Sequence, residues 1–166
     1  DAVVEAASTR LAAIRVGNPA APDVRMGALA SIDQRDEVLK SLRGLTKSAD
    51  IVFGDPDHVE LVDAERSKGA FLSPILLRAN DSWAPEIHDI EAFGPVSTVI
   101  GYRDTDDAIA LAARGRGSLV ASLVTADTDV AATVVRGIAA YHGRILVLNA
   151  EDAAESTGHG LSLIHI

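Results

Sequence analysis

Apolar residues recur along this chain in two periods, and the switch between them separates helical from strand-like stretches. Val3, Val4, Ala7, Leu11 and Ile14 recur at helical spacing. They predict a helix over residues 2–16 with one buried stripe, stopped by Gly17-Asn18-Pro19. Residues 18–30 keep no period and predict a surface connection with a turn at Ala21-Pro22-Asp23. A second helix opens at Ser31, whose hydroxyl can cap it while Gln34 reaches back in a capping box. Its buried face is Val38, Leu39, Leu42 and Leu45, which leaves Asp33, Arg35, Asp36 and Lys40 to water.

Shorter apolar runs follow. Ile51-Val52-Phe53 and Phe71 to Leu77 are strand-like, with Pro74 demoting the second to an edge, a bulge or a break. Asp81 to Asp89 predicts a loop or a single helical turn. From Val96 the order becomes regular: strand to Tyr102, helix from Asp104 to Ala113, strand from Leu119 to Thr125, helix from Asp127 to Tyr141, strand from Ile145 to Leu148. Asp104 and Asp127 stand where N-caps are wanted, and Gly115 and Gly143 where the helices should end. Strands alternating with helices imply parallel neighbours joined by right-handed crossovers. The predicted fold is α/β: an open, mainly parallel sheet with helices on both faces.

Composition narrows what such a domain does. The chain has 166 residues, enough for one domain with a substantial core, and its 4% aromatic content makes that core aliphatic. Fifteen Lys and Arg against 24 Asp and Glu leave a formal charge of −9, which repels phosphate backbones and anionic lipid, so nucleic acid is excluded as a general partner. No segment approaches the roughly 20 apolar residues a membrane helix needs. Cysteine is absent, which removes disulfides and thiolate metal sites and agrees with a reducing cytoplasm. The start at Asp1-Ala2-Val3-Val4, without Met or a basic leader, is expected to be a cut or processed end. His58, His88, His142, His159 and His165 lack metal-site spacing, and the acids from Asp55 to Glu65 form a solvated face without a calcium-loop pattern.

Candidate chemistry gathers at Glu91-Ala92-Phe93-Gly94-Pro95-Val96. Gly94-Pro95 turns the chain at the mouth of a strand, where open α/β folds collect ligands. Glu91 can accept hydrogen bonds from the vicinal hydroxyls of a ribose, and Phe93 offers a flat apolar face to a nicotinamide ring. The same residues are also consistent with a turn carrying one exposed acid and one packed ring.

The run resembles the Glu-x-Phe-Gly-Pro signature of the NAD(P)-dependent aldehyde dehydrogenases, and the resemblance extends over nearly all of residues 1–160. Gly17-Asn18-Pro19 with Met26-Gly27-Ala28-Leu29 is similar to a passage that follows the family's cysteine, and Gly143-Arg144-Ile145-Leu146-Val147-Leu148-Asn149 is similar to the family's Gly-x-Val-x-Val-Asn ending. Asp89 to Val96 and Glu155-Ser156-Thr157-Gly158-His159-Gly160 look most like the dehydrogenase half of the bifunctional ring-opening enzymes of bacterial phenylacetic acid degradation, which act on CoA-linked intermediates.

The resemblance implies that Glu91 holds the nicotinamide ribose and that Phe93 contacts the nicotinamide, with NAD or NADP as cofactor. It sets Asn149 and His159 near the entrance for an aldehyde substrate, although each also has a plainer reading. Asn149 could bond nearby backbone at a strand end, and His159 could be a solvated loop residue. In the family reaction a thiolate attacks the aldehyde, the adduct passes hydride to the nicotinamide, and a glutamate-activated water releases the acid. Neither Glu86 nor Glu91 occupies the place of that base, and the thiol is absent.

The chain is therefore expected to be an inactive part of a homo-oligomeric parent enzyme. The alternative is a stand-alone α/β ligand-binding or oligomerisation module. Arg114-Gly115-Arg116-Gly117 replaces the polar passage usual in the family, and its arginines are either contacts for an anionic substrate group or solvated helix-end cations. Residues 161–166 depart from the family pattern and are expected to be of vector or shifted-frame origin, unless they form a natural terminal strand.

Overall fold

In the computed structural model, residues 1–155 are described, and they fall into two compact units, Asp1–Gly101 and a second beginning at Tyr102. His159, the Thr157–Gly160 segment and the 161–166 tail lie outside the described residues.

The first unit opens with α1 (Ala2–Ala12), capped by the Asp1 carboxylate on the Val3 amide. The helix is shorter than its period suggests. Ile14 onward leaves it to build β1 (Arg15–Gly17), which pairs in parallel with β2 (Val24–Met26) and with β4 (Leu61–Val62). The expected buried stripe is also absent: no α1 residue is buried, and Val3 is 63% exposed. Ladder bonds to distant segments overrode a local period, and the same bonds turn part of the 18–30 connection into a strand.

α2 (Ile32–Leu45) follows the sequence reading closely. Ser31 Oγ accepts from the Gln34 amide at 3.0 Å, and Val38, Leu42 and Leu45 are buried. The reciprocal half of the capping box is displaced by one residue, because Gln34 Oε1 accepts from the Ala30 amide rather than from that of Ser31.

The core lies under this helix. β3 (Ala49–Phe53) runs antiparallel to β5 (Ile75–Ala79), which pairs in parallel with β6 (Val96–Val99). β5 begins directly after Pro74, so the proline is a break. Its consecutive residues Ile75, Leu76 and Leu77 are all at most 3% exposed. Successive strand side chains point to opposite faces, so this strand is covered on both. Leu42 and Leu45 of α2 join Ala49, Ile75, Leu77, Ala79 and Ala84 in one buried cluster with Ile87 of α3 (Pro85–Asp89).

The second unit contains α4 (Thr105–Ala113), β7 (Ser118–Val124), α5 (Thr128–Ile138), β8 (His142–Leu148) and α6 (Ala150–Glu155). β7 and β8 pair in parallel, in register from Ser118↔His142 to Val124↔Leu148, with α5 as their crossover. Asp104 and Asp127 cap α4 and α5 as expected. Asp107, buried, takes the Arg103 side chain in a bidentate grip at 2.8 and 3.2 Å, which raises the guanidinium pKa.

The two glycine caps are corrected. After α4 the amides of Gly115 and Arg116 still bond back to Ala112 and Ala113, and left-handed backbone comes only at Arg116 (φ 51°) and Gly117 (φ 133°). α5 passes through a short 3-10 turn, Ala139–Tyr141, directly into β8, and Gly143 lies inside that strand. A Cβ at Gly143 would stand 3.0 Å from the Leu119 carbonyl oxygen, so close strand approach is what selects glycine there.

The observed class is mixed α/β with mostly parallel pairing, as the sequence predicts. β3–β5 is antiparallel, and β6, read as the first strand of the regular C-terminal series, has β5 as its partner within the first unit.

Candidate functional site

Glu91 to Pro95 links α3 to β6 through two consecutive tight reversals: the Gly94 amide bonds the Ala92 carbonyl at 2.7 Å and the Val96 amide bonds the Gly94 carbonyl at 2.8 Å. Three further bonds tie this loop's backbone to its surroundings. Ser41 Oγ donates to the Glu91 carbonyl at 3.1 Å, Gln34 Nε2 to the Phe93 carbonyl at 2.9 Å, and the Ile75 amide to the Pro95 carbonyl at 2.8 Å. Gly94 rests on Val38, where an added Cβ would come within 2.7 Å of Val38 Cγ2. Only glycine fits without displacing that buried valine.

The side chains of the loop behave differently from its backbone. Phe93 is 74% exposed, so its ring is not packed into the fold. Glu91 is exposed, and within the described residues no hydrogen bond or ion pair engages its carboxylate. Phe93, Ala92 and Pro95 border a cleft of about 640 Å³ whose other walls include Met26-Gly27-Ala28-Leu29, Gln34 and Leu72. The cleft is mainly apolar, with Arg25 at its margin. An apolar hollow with an exposed ring on its wall suits a ligand with a flat apolar part, and Glu91 is not among its lining residues. Sequence reasoning used Gln34 only as a cap. Its second bond joins residues 59 positions apart, which no local pattern can signal.

Asn149 sits in the second unit at the end of β8. Its Oδ1 accepts from the amides of Glu151 and Asp152 at 2.8 and 2.9 Å, while its own amide donates to Asp152 Oδ2 at 3.1 Å. It is the N-cap of α6, and it borders a hollow of about 170 Å³ with Thr125, Asp127 and Asp152.

Glu86, His88 and His142 have structural partners. Glu86 accepts from Ser48 Oγ at 2.9 Å; a bond from its own backbone amide, then Ser48, then the charge of Lys47 hold its pKa below the usual carboxylate range. His88 and His142 each direct a ring nitrogen at a backbone carbonyl, Ser82 at 2.7 Å and Ile138 at 3.1 Å, and because a carbonyl only accepts, those nitrogens carry hydrogen. Arg114 is half-buried and Arg116 exposed. Among the described residues, no three His, Asp or Glu side chains gather as a metal site.

Comparison with known proteins places the chain in a family. The aldehyde dehydrogenase family profile matches residues 1–163. A 3,4-dehydroadipyl-CoA semialdehyde dehydrogenase from Aromatoleum evansii is 42% identical over 160 residues, covering 96% of this chain and 31% of its own length. Protein MaoC from Klebsiella aerogenes is 41% identical over 140 residues, covering 83% of this chain and 40% of its own. Among solved structures, a point mutant of Staphylococcus aureus betaine aldehyde dehydrogenase in complex with NAD+ superposes with a TM-score of 0.71 at 25% identity, over 86% of this chain and 28% of that one. The chain thus spans well under half of the proteins it resembles. With the profile running almost end to end, this chain belongs to the aldehyde dehydrogenase family.

Proposed function

We propose that this chain supplies the cofactor side of the catalytic site in an enzyme that oxidises an aldehyde, of the CoA-linked semialdehyde kind, to its acid with NAD+ or NADP+. The observation that carries the reading is the contrast within one loop: from Glu91 to Pro95 the backbone is fastened to α2 and β5, while the Phe93 ring stays exposed on the wall of an apolar cleft and the exposed Glu91 carboxylate, outside that wall, has no partner among the described residues. When bound, the nicotinamide cofactor accepts the substrate hydride. Glu91 accepts the ribose hydroxyls and Phe93 lies against the nicotinamide ring, so both fix orientation and neither exchanges a proton with substrate.

The CoA-linked substrate class is supported by the Aromatoleum evansii relative, and the Glu155 to Gly160 run extends the likeness to the ring-opening enzymes of phenylacetate breakdown. In this reading residues 1–160 are part of one catalytic domain of a cytoplasmic homo-oligomer. Asn149, its Oδ1 committed to the α6 cap, offers its amide hydrogens to the aldehyde entrance, which His159 shares. Among the described residues no helix is long and apolar enough to cross a membrane. The nucleophilic thiol comes from outside this cysteine-free sequence, so the chain alone gives no cofactor reduction with any aldehyde.

The test is Glu91→Gln in the full-length protein that carries this chain. Replacing charge-assisted bonds by neutral ones removes about 1.5 to 3 kcal/mol of cofactor binding. Cofactor KM therefore rises at least tenfold with unchanged thermal stability; wild-type cofactor KM and kcat would leave Glu91 as a turn residue only.

A further inference from the structure

We infer that Ser41 and Gln34, with Val38 between them, form a rail on α2 that sets the register of the cofactor loop, which makes Ser41 and Gln34 positioning residues for Glu91 and Phe93. The inference rests on the cofactor reading above. Positions 34, 38 and 41 are spaced by four and three and lie on one stripe of the helix. Each meets a different point of the loop: Ser41 the Glu91 carbonyl, Gln34 the Phe93 carbonyl, Val38 the bare Cα of Gly94.

The two carbonyls that are held belong to the two residues whose side chains are free. Fixing a carbonyl fixes that residue's ψ, and with the flanking tight reversals it fixes the direction in which the side chain leaves the backbone. The rail thus orients Glu91 and Phe93 without touching either side chain. Gln34 has no choice of orientation. With Oε1 on the Ala30 amide at 3.0 Å and Nε2 on the Phe93 carbonyl at 2.9 Å, a reversed amide would set donor against donor and acceptor against acceptor.

Ser41 is the diagnostic member, since it does not line the cleft and reaches the loop only through backbone. In the full-length protein, Ser41→Ala is expected to raise the KM for NAD+ or NADP+ about three- to tenfold, the worth of one neutral hydrogen bond. Aldehyde KM and kcat at saturating cofactor stay near wild type, and Ser41→Thr, which keeps the hydroxyl, restores cofactor KM. Ser41→Cys, whose thiol is a weak donor, carries the same test if Ser41→Ala fails to fold, and Gln34→Glu, which loses the donor to Phe93 but also puts a carboxylate on the cleft wall, is decisive only when silent. A rail acting through Glu91 also predicts non-additivity: in a Glu91→Gln background, Ser41→Ala adds no further rise.

If Glu91→Gln impairs cofactor binding while Ser41→Ala and Gln34→Glu leave it at wild type, the rail is wrong and the cofactor reading stands. If Glu91→Gln and Ser41→Ala are both silent, the cofactor reading fails and the rail with it. Additive losses in the double variant would overturn transmission through Glu91.

Discussion

The two units bury their apolar residues to different extents. In the first, the central strand is sealed on both faces, with Ile75 and Leu77 at 1% and 0% exposure, and the Glu91–Pro95 loop is fastened to that strand and to the helix above it. In the second, the parallel pair β7–β8 leaves Leu119 66%, Val124 65% and Val147 41% exposed, and among its described hydrophobic residues only Leu111 and Ile138 are buried. Parallel strands are ordinarily covered on both sides. Glu91 and Phe93 therefore stand on a platform that is complete within its own unit, whereas Asn149 stands at the end of a strand whose neighbours remain open to water. Their chemistry differs accordingly. The first two have side chains to spare, and Asn149 has already spent its oxygen on a helix end.

The largest effect that could break this contrast is in the cores. Leu77→Ala is expected to cost about 2 to 5 kcal/mol of unfolding free energy, and Leu119→Ala no more than about 0.5. Denaturant unfolding of both variants in the full-length protein measures this, and equal losses would mean that Leu119 is covered there. A smaller effect separates the two roles of Asn149. Asn149→Ala should lose about 0.5 to 2 kcal/mol with the cap. Asn149→Ser, which keeps a capping oxygen without amide hydrogens, should hold stability and raise aldehyde KM; an unchanged KM would reduce Asn149 to its cap.

The smallest effect is electrostatic. Because the folded pKa of Glu86 is lowered, its contribution is present above the unfolded carboxylate pKa and disappears as pH falls through the folded value. Removing one of the causes, by Ser48→Ala, should move the Glu86 titration midpoint upward in a carboxyl-resolved NMR titration; an unmoved midpoint would exclude the hydroxyl as a contributor.

What the sequence made legible was local. Ser31, Asp104 and Asp127 cap their helices because a short oxygen-bearing side chain needs only amides two or three residues on. The buried face of α2 was legible because period and burial coincide there. Ile14 to Val16 was misread because a helical period ran on into residues that long-range ladder bonds claimed for β1. Gly143 was misplaced as a cap because glycine serves close strand approach as readily as left-handed turns, and Gly115 because the left-handed backbone after α4 falls on Arg116 and Gly117. The Glu91–Pro95 motif could be found by its residue types, but not its fastening, since Ser41 and Gln34 lie 50 and 59 positions away.

Gln34 occupies both the first turn of α2 and the underside of Phe93, so a single carboxamide links the start of a helix to the posture of a remote loop. The Ala30 amide proton, held by the same carboxamide, is consequently a built-in gauge. Slower exchange of that proton with deuterated solvent when a ligand seats against Phe93 is the expected sign that carboxamide and loop move together, and unchanged exchange would separate the two bonds.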